Sequence, residues 1–222
     1  MRHIDRFSEP DIFVKKRDEW QAQYDAKRKV NPSARPDSSK YGNPKIRERL
    51  NDCSYGKCFY CESKLGGMLK EIDHFKEVSI APDLAYTWNN LYLSCSNCND
   101  KISHDIIPIE AVLDPCMDLD EEIQTHVTFE DECICSQAGS VKGLNTIKKF
   151  RLNTDVLDLK RSKWLRMIMD NVMSIQNHMI EEGRKEVTEE EKLSLLRYMQ
   201  PDQPYSLMSE IYLRKRFAFL FA

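Results

Sequence analysis

The chain has 222 residues, of which 41% are hydrophobic and 31% charged, and its formal net charge is -3 at pH 7. This balance is typical of a folded globular protein and argues against an intrinsically disordered chain. No stretch approaches the roughly 18 consecutive apolar residues of a membrane helix, and the first residues lack the apolar core of a secretory signal, so we expect a cytoplasmic protein without a membrane partner.

The N-terminal part of the chain predicts helices with a surplus of positive charge. Apolar residues recur at helical spacing over 8–30, a loop-forming run follows at 31–39, and a second helix is expected over 44–53. Residues 1–50 hold 13 Lys or Arg against 8 Asp or Glu, which would suit a polyanionic partner, although solvated helix faces produce the same bias. The apolar positions expected to face the core are Phe13, Trp20 and Tyr24.

Two Cys-x-x-Cys pairs frame the centre of the chain. Cys58 and Cys61 form the first pair, and Cys95 and Cys98 form the second. Zn²⁺ prefers four sulfur ligands in a closed tetrahedron, and a reducing cytoplasm disfavours disulfides. We therefore expect a structural zinc ion, against the alternative of four unrelated buried cysteines. The roles of the other cysteines are not readable from the sequence; these are Cys53, Cys116, Cys133 and Cys135.

Candidate catalytic residues lie between the two pairs and directly behind the second. Asp73 precedes His74, and Asn99 follows the last cysteine, where a helix could begin. Oxygen ligands suit Mg²⁺ or Mn²⁺, so Asp73 and Asn99 are candidate ligands of a second, catalytic ion. His74 can remove a proton from water, because an imidazole titrates near neutral pH. Each residue also has a structural interpretation, a surface hydrogen bond or a helix cap, but their order between zinc knuckles favours phosphodiester hydrolysis.

The region after this centre predicts one hairpin-like segment and three helices. Residues 126–135 partly alternate between apolar and polar and predict a strand, one arm of a hairpin. Helices are expected over 143–151 and 153–183. A further helix should begin at Thr188, which forms a capping box with Glu191.

These elements predict an α+β fold in three parts. Residues 1–54 form an N-terminal helical arm, residues 55–115 a catalytic core, and residues 116–222 a hairpin-like segment with a C-terminal helical region. The segment 204–221 is rich in apolar residues. We expect it to pack on the core of the protein, with docking to a partner protein as the alternative.

Four motifs occur in an order that resembles the HNH, or His-Me finger, endonucleases. They are Cys58-Phe-Tyr-Cys61, Asp73-His74, Asn90-Leu91 and Cys95-Ser-Asn-Cys98-Asn99. The resemblance implies a ββα-metal core that is stapled by the four-cysteine zinc site, with His74 as general base and Asn90 as the brace of the loop that carries it. It also implies that Asp73 and Asn99 hold the catalytic metal. His104 is a candidate accessory ligand or phosphate contact, and a solvent-facing histidine is the alternative.

A narrower resemblance covers roughly residues 55–165 and concerns the HNH subunit of Septu-type anti-phage systems, the PtuB-like proteins that are also found with retrons. The motifs that carry it include Lys57-Cys58-Phe59-Tyr60-Cys61-Glu62, Trp88-Asn89-Asn90-Leu91, Leu113-Asp114-Pro115 and Leu152-Asn153. This family implies phage defence and a partner ATPase that is encoded alongside the nuclease. The chain departs from the family after His74, where Phe75-Lys76 replaces an expected Pro-Lys pair.

The leading prediction is a metal-dependent HNH endonuclease that cuts DNA as the effector subunit of a defence complex. Two other functions are compatible with the same residues. One is a nuclease that acts on structured RNA such as tRNA, because a metal-activated water needs no particular sugar. The other is a catalytically inactive, zinc-stabilised nucleic-acid-binding module, which would show salt-dependent binding without turnover.

Overall fold

Two separate antiparallel sheets form the extended part of the chain in the computed structural model, which describes residues 1–66 and 70–218. In the first sheet β1 (Glu71–His74) pairs with β2 (Leu91–Ser94), so that Asp73 lies opposite Tyr92. In the second, β3 (Val127–Glu130) pairs with β4 (Cys133–Ser136). The first sheet, followed directly by the short helix α4 (Ser96–Asn99), has the predicted ββα order.

Helices precede and follow the first sheet along the chain. The N-terminal arm contains α1 (Asp11–Val30), α2 (Ser38–Tyr41) and α3 (Pro44–Cys53). The prediction for α3 is confirmed, since Asn43 caps the helix and Pro44 occupies its first turn. The C-terminal helices are α5 (Asp120–His126), α6 (Val141–Lys149), α7 (Asp155–Glu181), α8 (Glu189–Leu196) and α9 (Ser206–Arg216).

The apolar positions predicted for the first helix do face the core. Phe13, Trp20 and Tyr24 are buried on α1. The ring of Phe13 meets that of Trp88 edge to face, with centroids 6.1 Å apart, just ahead of β2. This contact attaches the N-terminal arm to the strand pair.

Stacked aromatic rings pack against the first sheet. Tyr60 and Phe150 stack with ring centroids 4.1 Å apart, and Phe75 and Tyr92 stack at 4.7 Å. Tyr60, Tyr92 and Phe150 are fully buried or nearly so. Truncation of such a ring to alanine typically costs about 3–5 kcal/mol. The stack therefore gives β1 a rigid base.

Three predictions of local structure need correction. The predicted loop at 31–39 runs into α2, because the Asp37 side chain accepts a hydrogen bond from the Ser39 backbone and starts a turn. A helix does not begin at Asn99: α4 ends there, since Asp100 leaves helical conformation at ψ 52°. The segment 126–135 contains both arms of a hairpin, because Asp131 adopts a left-handed conformation with φ 53° and reverses the chain.

The C-terminal prediction is confirmed where the structure describes it. Thr188 and Glu191 form the reciprocal capping box that starts α8. Leu207, Met208 and Leu213 of α9 are buried in the core, so this part of the apolar tail packs on its own protein. The end of the predicted tail, residues 219–221, lies outside the described residues. None of the described helices combines the length and apolar character that a bilayer crossing demands.

Candidate active site and zinc centre

Four buried thiols meet between the first knuckle and the end of β2. The Sγ atoms of Cys58, Cys61, Cys95 and Cys98 all lie within 4.8 Å of one another. The Cys61 and Cys95 Sγ atoms are 3.8 Å apart. A tetrahedral zinc ion with bonds of about 2.3 Å places its sulfurs about 3.8 Å apart. The cluster therefore fits a structural zinc ion, which Cys58, Cys61, Cys95 and Cys98 would hold with no position left open.

Hydrogen bonds among the four thiols and their burial shift the pKa values of these thiols in different directions. Hydrogen bonds from Cys58 and the other two thiols lower the pKa of Cys61 well below its ordinary value, whereas burial raises that of Cys58. Cys61 Sγ donates a hydrogen bond to Ser63 Oγ at 3.2 Å, and Ser63 Oγ also forms a hydrogen bond with the Tyr205 hydroxyl at 2.9 Å. Since zinc binds thiolates, the arrangement suits metal binding with release of protons. The Ser63–Tyr205 bond also links the knuckle to the start of α9.

Asp73, in the middle of β1, is held by two other side chains. Tyr60 Oη donates to Asp73 Oδ2 at 2.7 Å. Lys101 Nζ lies 3.0 and 2.9 Å from Asp73 Oδ1 and Oδ2. The same ammonium donates to the backbone carbonyl oxygens of His74 and Phe75. Lys101 thus binds both the carboxylate and the main chain of the strand that carries it.

His74 ends β1 in an orientation fixed by a backbone carbonyl. Its Nε2 lies 2.9 Å from Ala85 O, and its ring meets the Tyr41 ring edge to face at 4.8 Å. A carbonyl oxygen only accepts, so Nε2 carries the proton and Nδ1 keeps its lone pair. Burial lowers the pKa of His74, which keeps the imidazole neutral at neutral pH. A neutral imidazole with an available lone pair can act as a base.

Asn90 braces the loop that leads from His74 to Ala85. Its Oδ1 accepts a hydrogen bond from Lys76 N at 2.8 Å. Its Nδ2 donates to Lys76 O at 3.0 Å and to Leu84 O at 3.2 Å. The amide therefore ties both ends of this loop together and fixes the carbonyl that orients the imidazole.

One cleft of about 810 Å³ collects most of these side chains. Asp73, His74, Asn99 and Lys101 all line it. Asn99 Nδ2 donates a hydrogen bond to the Glu71 carboxylate. Glu71 and Asp73 are two residues apart on a strand, so their side chains lie on the same face. The cleft thus combines a base with hard oxygen donors.

Comparison with known proteins identifies the motif-bearing region. Residues 58–105 match the model of the HNH endonuclease family. Below, residues 58–105 are called the HNH domain after this match. The matched residues extend from the first zinc-knuckle cysteine to just beyond His104, and they include both strands of the first sheet and α4.

Two curated relatives extend the similarity beyond the HNH domain. The chain is 30% identical over 118 residues to a Septu protein PtuB from Bacillus thuringiensis, covering 52% of this chain and 44% of the relative. It is 31% identical over 155 residues to a Septu protein PtuB from Bacillus mycoides (strain KBAB4), covering 55% and 52%. The chain therefore spans about half the length of the curated relatives it matches. The predicted resemblance to HNH and Septu-type proteins is confirmed.

The HNH domain does not bring every predicted residue into the cleft. Asn90 acts from behind it through the loop, and its side chain is not part of the lining. His104 also does not line the cleft. Its Nδ1 accepts a hydrogen bond from Ile109 N at 3.4 Å and lies 3.8 Å from the Glu77 carboxylate. His104 therefore has structural contacts and is neither a direct neighbour of Asp73 nor a freely solvated side chain.

Three residues of the HNH domain that contact the candidate site residues were not predicted from the sequence. Lys101 and Tyr60 hold the Asp73 carboxylate, and Glu71 bonds Asn99. Strand alternation could have indicated Glu71, two positions before Asp73. For Lys101 the available signal was its position just after the last zinc ligand. No local pattern indicated Tyr60, because its contact depends on how the first knuckle folds against β1.

The oxygen donors of the cleft fit a hard divalent ion. The Asp73 carboxylate and the Asn99 side-chain oxygen are ligand types that Mg²⁺ and Mn²⁺ accept. The Asn99 amide nitrogen is engaged by Glu71, which leaves its oxygen available. The Lys101 ammonium contacts both Asp73 oxygens, so an ion bound by Asp73 would share this carboxylate with the ammonium or displace it.

Proposed function

We propose that this protein is a metal-dependent endonuclease that hydrolyses phosphodiester bonds in nucleic acid, with DNA as the favoured substrate. One observation carries the proposal: the buried, neutral His74 keeps Nδ1 available on a cleft that also contains the oxygens of Asp73 and Asn99. No described residue hydrogen-bonds this Nδ1. The match to the HNH endonuclease family supports the same chemistry.

In the proposed reaction His74 Nδ1 removes a proton from a water molecule as the water oxygen attacks phosphorus. The bond from phosphorus to the leaving oxygen breaks, and that oxygen takes up a proton from solvent. Asp73 and Asn99 would hold a Mg²⁺ or Mn²⁺ ion, which would supply Lewis acidity for the phosphate. Asn90 holds the loop that ends at Ala85, and the Ala85 carbonyl in turn fixes the orientation of the His74 imidazole. A positioned base of this kind typically contributes about 10²–10⁴-fold to the rate.

We further propose that the nuclease is the effector of an anti-phage defence system. Support comes from the two Septu protein PtuB relatives. By this resemblance the partner is an ATPase encoded alongside the nuclease, which would license cleavage. The proposal predicts that the chain alone cuts slowly and that the ATPase raises the rate.

The test is cleavage of labelled duplex DNA, single-stranded DNA and tRNA in Mg²⁺ or Mn²⁺, with and without the co-purified ATPase. His74→Ala should abolish cutting, and His178→Ala should cut like wild type, because His178 is exposed on α7 outside the HNH domain. The substrate that is cut distinguishes DNA from RNA. Wild-type protein that binds nucleic acid but cuts none of these substrates, even with the ATPase, would instead be an inactive binding module.

A further inference from the structure

The active-site cleft is lined by two parts of the chain. The HNH domain contributes β1 and the residues that follow it, and the N-terminal arm contributes side chains between residues 24 and 41, which we call the arm wall. The arm wall contains no acidic side chain among the lining residues, and it contains two guanidinium groups, those of Arg28 and Arg35. This side of the cleft is therefore cationic.

The acidic side chains of the same cleft do not neutralise the arm wall. They belong to Asp73 and Glu77 of the HNH domain. Asp73 is paired with Lys101 at 2.9 Å, and Glu77 is paired with Lys149 at 2.8 Å. Each carboxylate already has a lysine partner, which leaves the charge of the arm wall available to an anion.

The arm wall is attached to the loop that follows the general base. Arg28 Nη1 donates to Val78 O at 3.3 Å, and Asp37 N donates to the Tyr86 hydroxyl at 2.9 Å. The ring of Tyr24 packs against that of Tyr86 with centroids 6.3 Å apart. Both ends of the segment that carries Arg35 are thus fixed to the HNH domain, so its position relative to His74 is defined.

Arg35 is the available cation of this wall. It is exposed, and no described residue forms a hydrogen bond or ion pair with its guanidinium. Arg35 and Tyr41 line the same cleft. Tyr41 in turn contacts His74, with ring centroids 4.8 Å apart. Arg35 therefore lies near the general base with its donors unused.

We propose that Arg35, with Arg28 beside it, binds a backbone phosphate of the nucleic acid and so makes the N-terminal arm part of the substrate site. The proposal rests on the nuclease function proposed above. A guanidinium offers paired N–H donors that match two phosphate oxygens, a geometry that an ammonium cannot reproduce. A phosphate contact carries no base information, so the arm should contribute affinity and register without sequence preference.

The test is binding to a short fluorescein-labelled DNA duplex, the matching single strand and tRNA, measured by fluorescence anisotropy in the His74→Ala background over a range of salt concentrations. Arg35→Gln should weaken binding by about tenfold. It should also lower the slope of log K against log salt by about 0.9 on the duplex or about 0.7 on the single strand. Arg35→Lys should keep the slope and lose part of the affinity. Arg166→Gln is the matched control, since Arg166 is exposed on α7 and does not line the cleft.

Equal affinity and equal slope in Arg35→Gln and Arg166→Gln would overturn the proposal, as would the absence of salt-dependent binding to any of the probes. In the active background, Arg35→Gln should raise KM and leave kcat nearly unchanged, whereas Arg166→Gln should leave KM at the wild-type value. Because binding is measured in a variant that cannot cut, it does not depend on turnover. An Arg35 effect on binding, with no wild-type cleavage even in the presence of the ATPase, would therefore refute the nuclease and retain the phosphate site.

Discussion

Lys101 Nζ lies 2.9 Å from Asp73 Oδ2, and the two side chains are only 7% and 8% exposed. The ammonium makes further hydrogen bonds to the carbonyl oxygens of His74 and Phe75, so one buried cation contacts three consecutive residues at the end of β1. The Tyr60 hydroxyl also donates a hydrogen bond to this carboxylate. Lys101 thus couples the carboxylate to the backbone position of the neighbouring histidine.

Replacement of this lysine should destabilise the HNH domain. Lys101→Met would leave the Asp73 carboxylate buried without a cation, and breaking a buried ion pair from one side typically costs about 3–5 kcal/mol. We expect a lower Tm by differential scanning calorimetry. Cleavage should also fall, because the backbone of His74 loses a hydrogen bond.

A double variant separates the charge from the packing. Asp73→Asn combined with Lys101→Met removes both charges, so its Tm should lie above that of Lys101→Met alone. Lys16→Met serves as the surface control, because the Lys16–Glu19 pair is half-exposed on α1 and should contribute little. A double variant no more stable than Lys101→Met would show that the ion pair is not the source of the loss.

Asn90 should prove sensitive to a change of a single atom. In Asn90→Asp the acceptor for Lys76 N is retained, but a carboxylate oxygen replaces the amide that donates to Lys76 O and Leu84 O. A carboxylate oxygen then faces two partly buried carbonyl oxygens that have lost their donor, and the loss of such a hydrogen bond typically costs about 1 kcal/mol. We expect Asn90→Asp to be at least as damaging as Asn90→Ala, measured by urea unfolding.

The same variants should lower kcat more than they raise KM. Asn90 does not line the cleft, so it acts only through the loop that orients His74. Displacement of a catalytic group by about 1 Å can cost roughly 100-fold in rate. Asn89→Ala is the neighbouring control, since Asn89 is exposed. A change in KM alone would argue against an effect of Asn90 on the rate through the loop that orients His74.

We predict that the four clustered cysteines bind zinc and that the other four cysteines do not. Purified protein should contain a single zinc ion by metal analysis, and Cys95→Ser should lose it together with the fold of the HNH domain, because all four ligands join distant parts of the chain. Cys133→Ser should retain zinc, since Cys133 is exposed on the second hairpin and lies outside the cluster. Equal zinc content in both variants would contradict this assignment.

Features with a local signal were predictable from the sequence. The bounds of α3 follow from Asn43 and Pro44, and the start of α8 follows from Thr188 and Glu191, within a single turn of chain. The four-cysteine cluster was predictable for a different reason, since two Cys-x-x-Cys pairs have few alternatives to a shared metal. In each case residue type and spacing alone determine the interaction.

The rest of the site depends on contacts between distant residues. Lys101 reaches Asp73 across 28 residues, and Arg28 reaches Val78 across 50. Neither pairing has a periodic or spacing signal, because the fold, not the local chain, brings the partners together. The prediction that a helix begins at Asn99 was wrong, because the helical turn begins at Ser96, directly after Cys95, and ends at Asn99.

The ion pair between Arg184 and Glu191 predicts a defined response to acid. Arg184 Nη2 and Nη1 lie 2.7 and 3.0 Å from the two Glu191 carboxylate oxygens, and Glu191 also accepts from Thr188 N at 2.8 Å. Hydrogen bonding from Arg184 lowers the pKa of Glu191 to about 2, from an ordinary value of 4.5. A carboxylate with a depressed pKa adds stability that is fully present above pH 4.5 and is lost as the pH falls towards 2.

We therefore expect Arg184→Gln to raise the pKa of Glu191 towards 4.5, measured by NMR titration of its side chain. The Tm difference between wild type and Arg184→Gln should be constant from pH 7 down to about 4.5 and should shrink below it, because the lost interaction exists only while Glu191 is ionised. The contribution should be modest, as both groups are near the surface. Glu190→Gln is the control on the same helix turn, where the side chain is exposed. A Tm difference that grows as the pH falls would show that the carboxylate is not stabilised in its charged form.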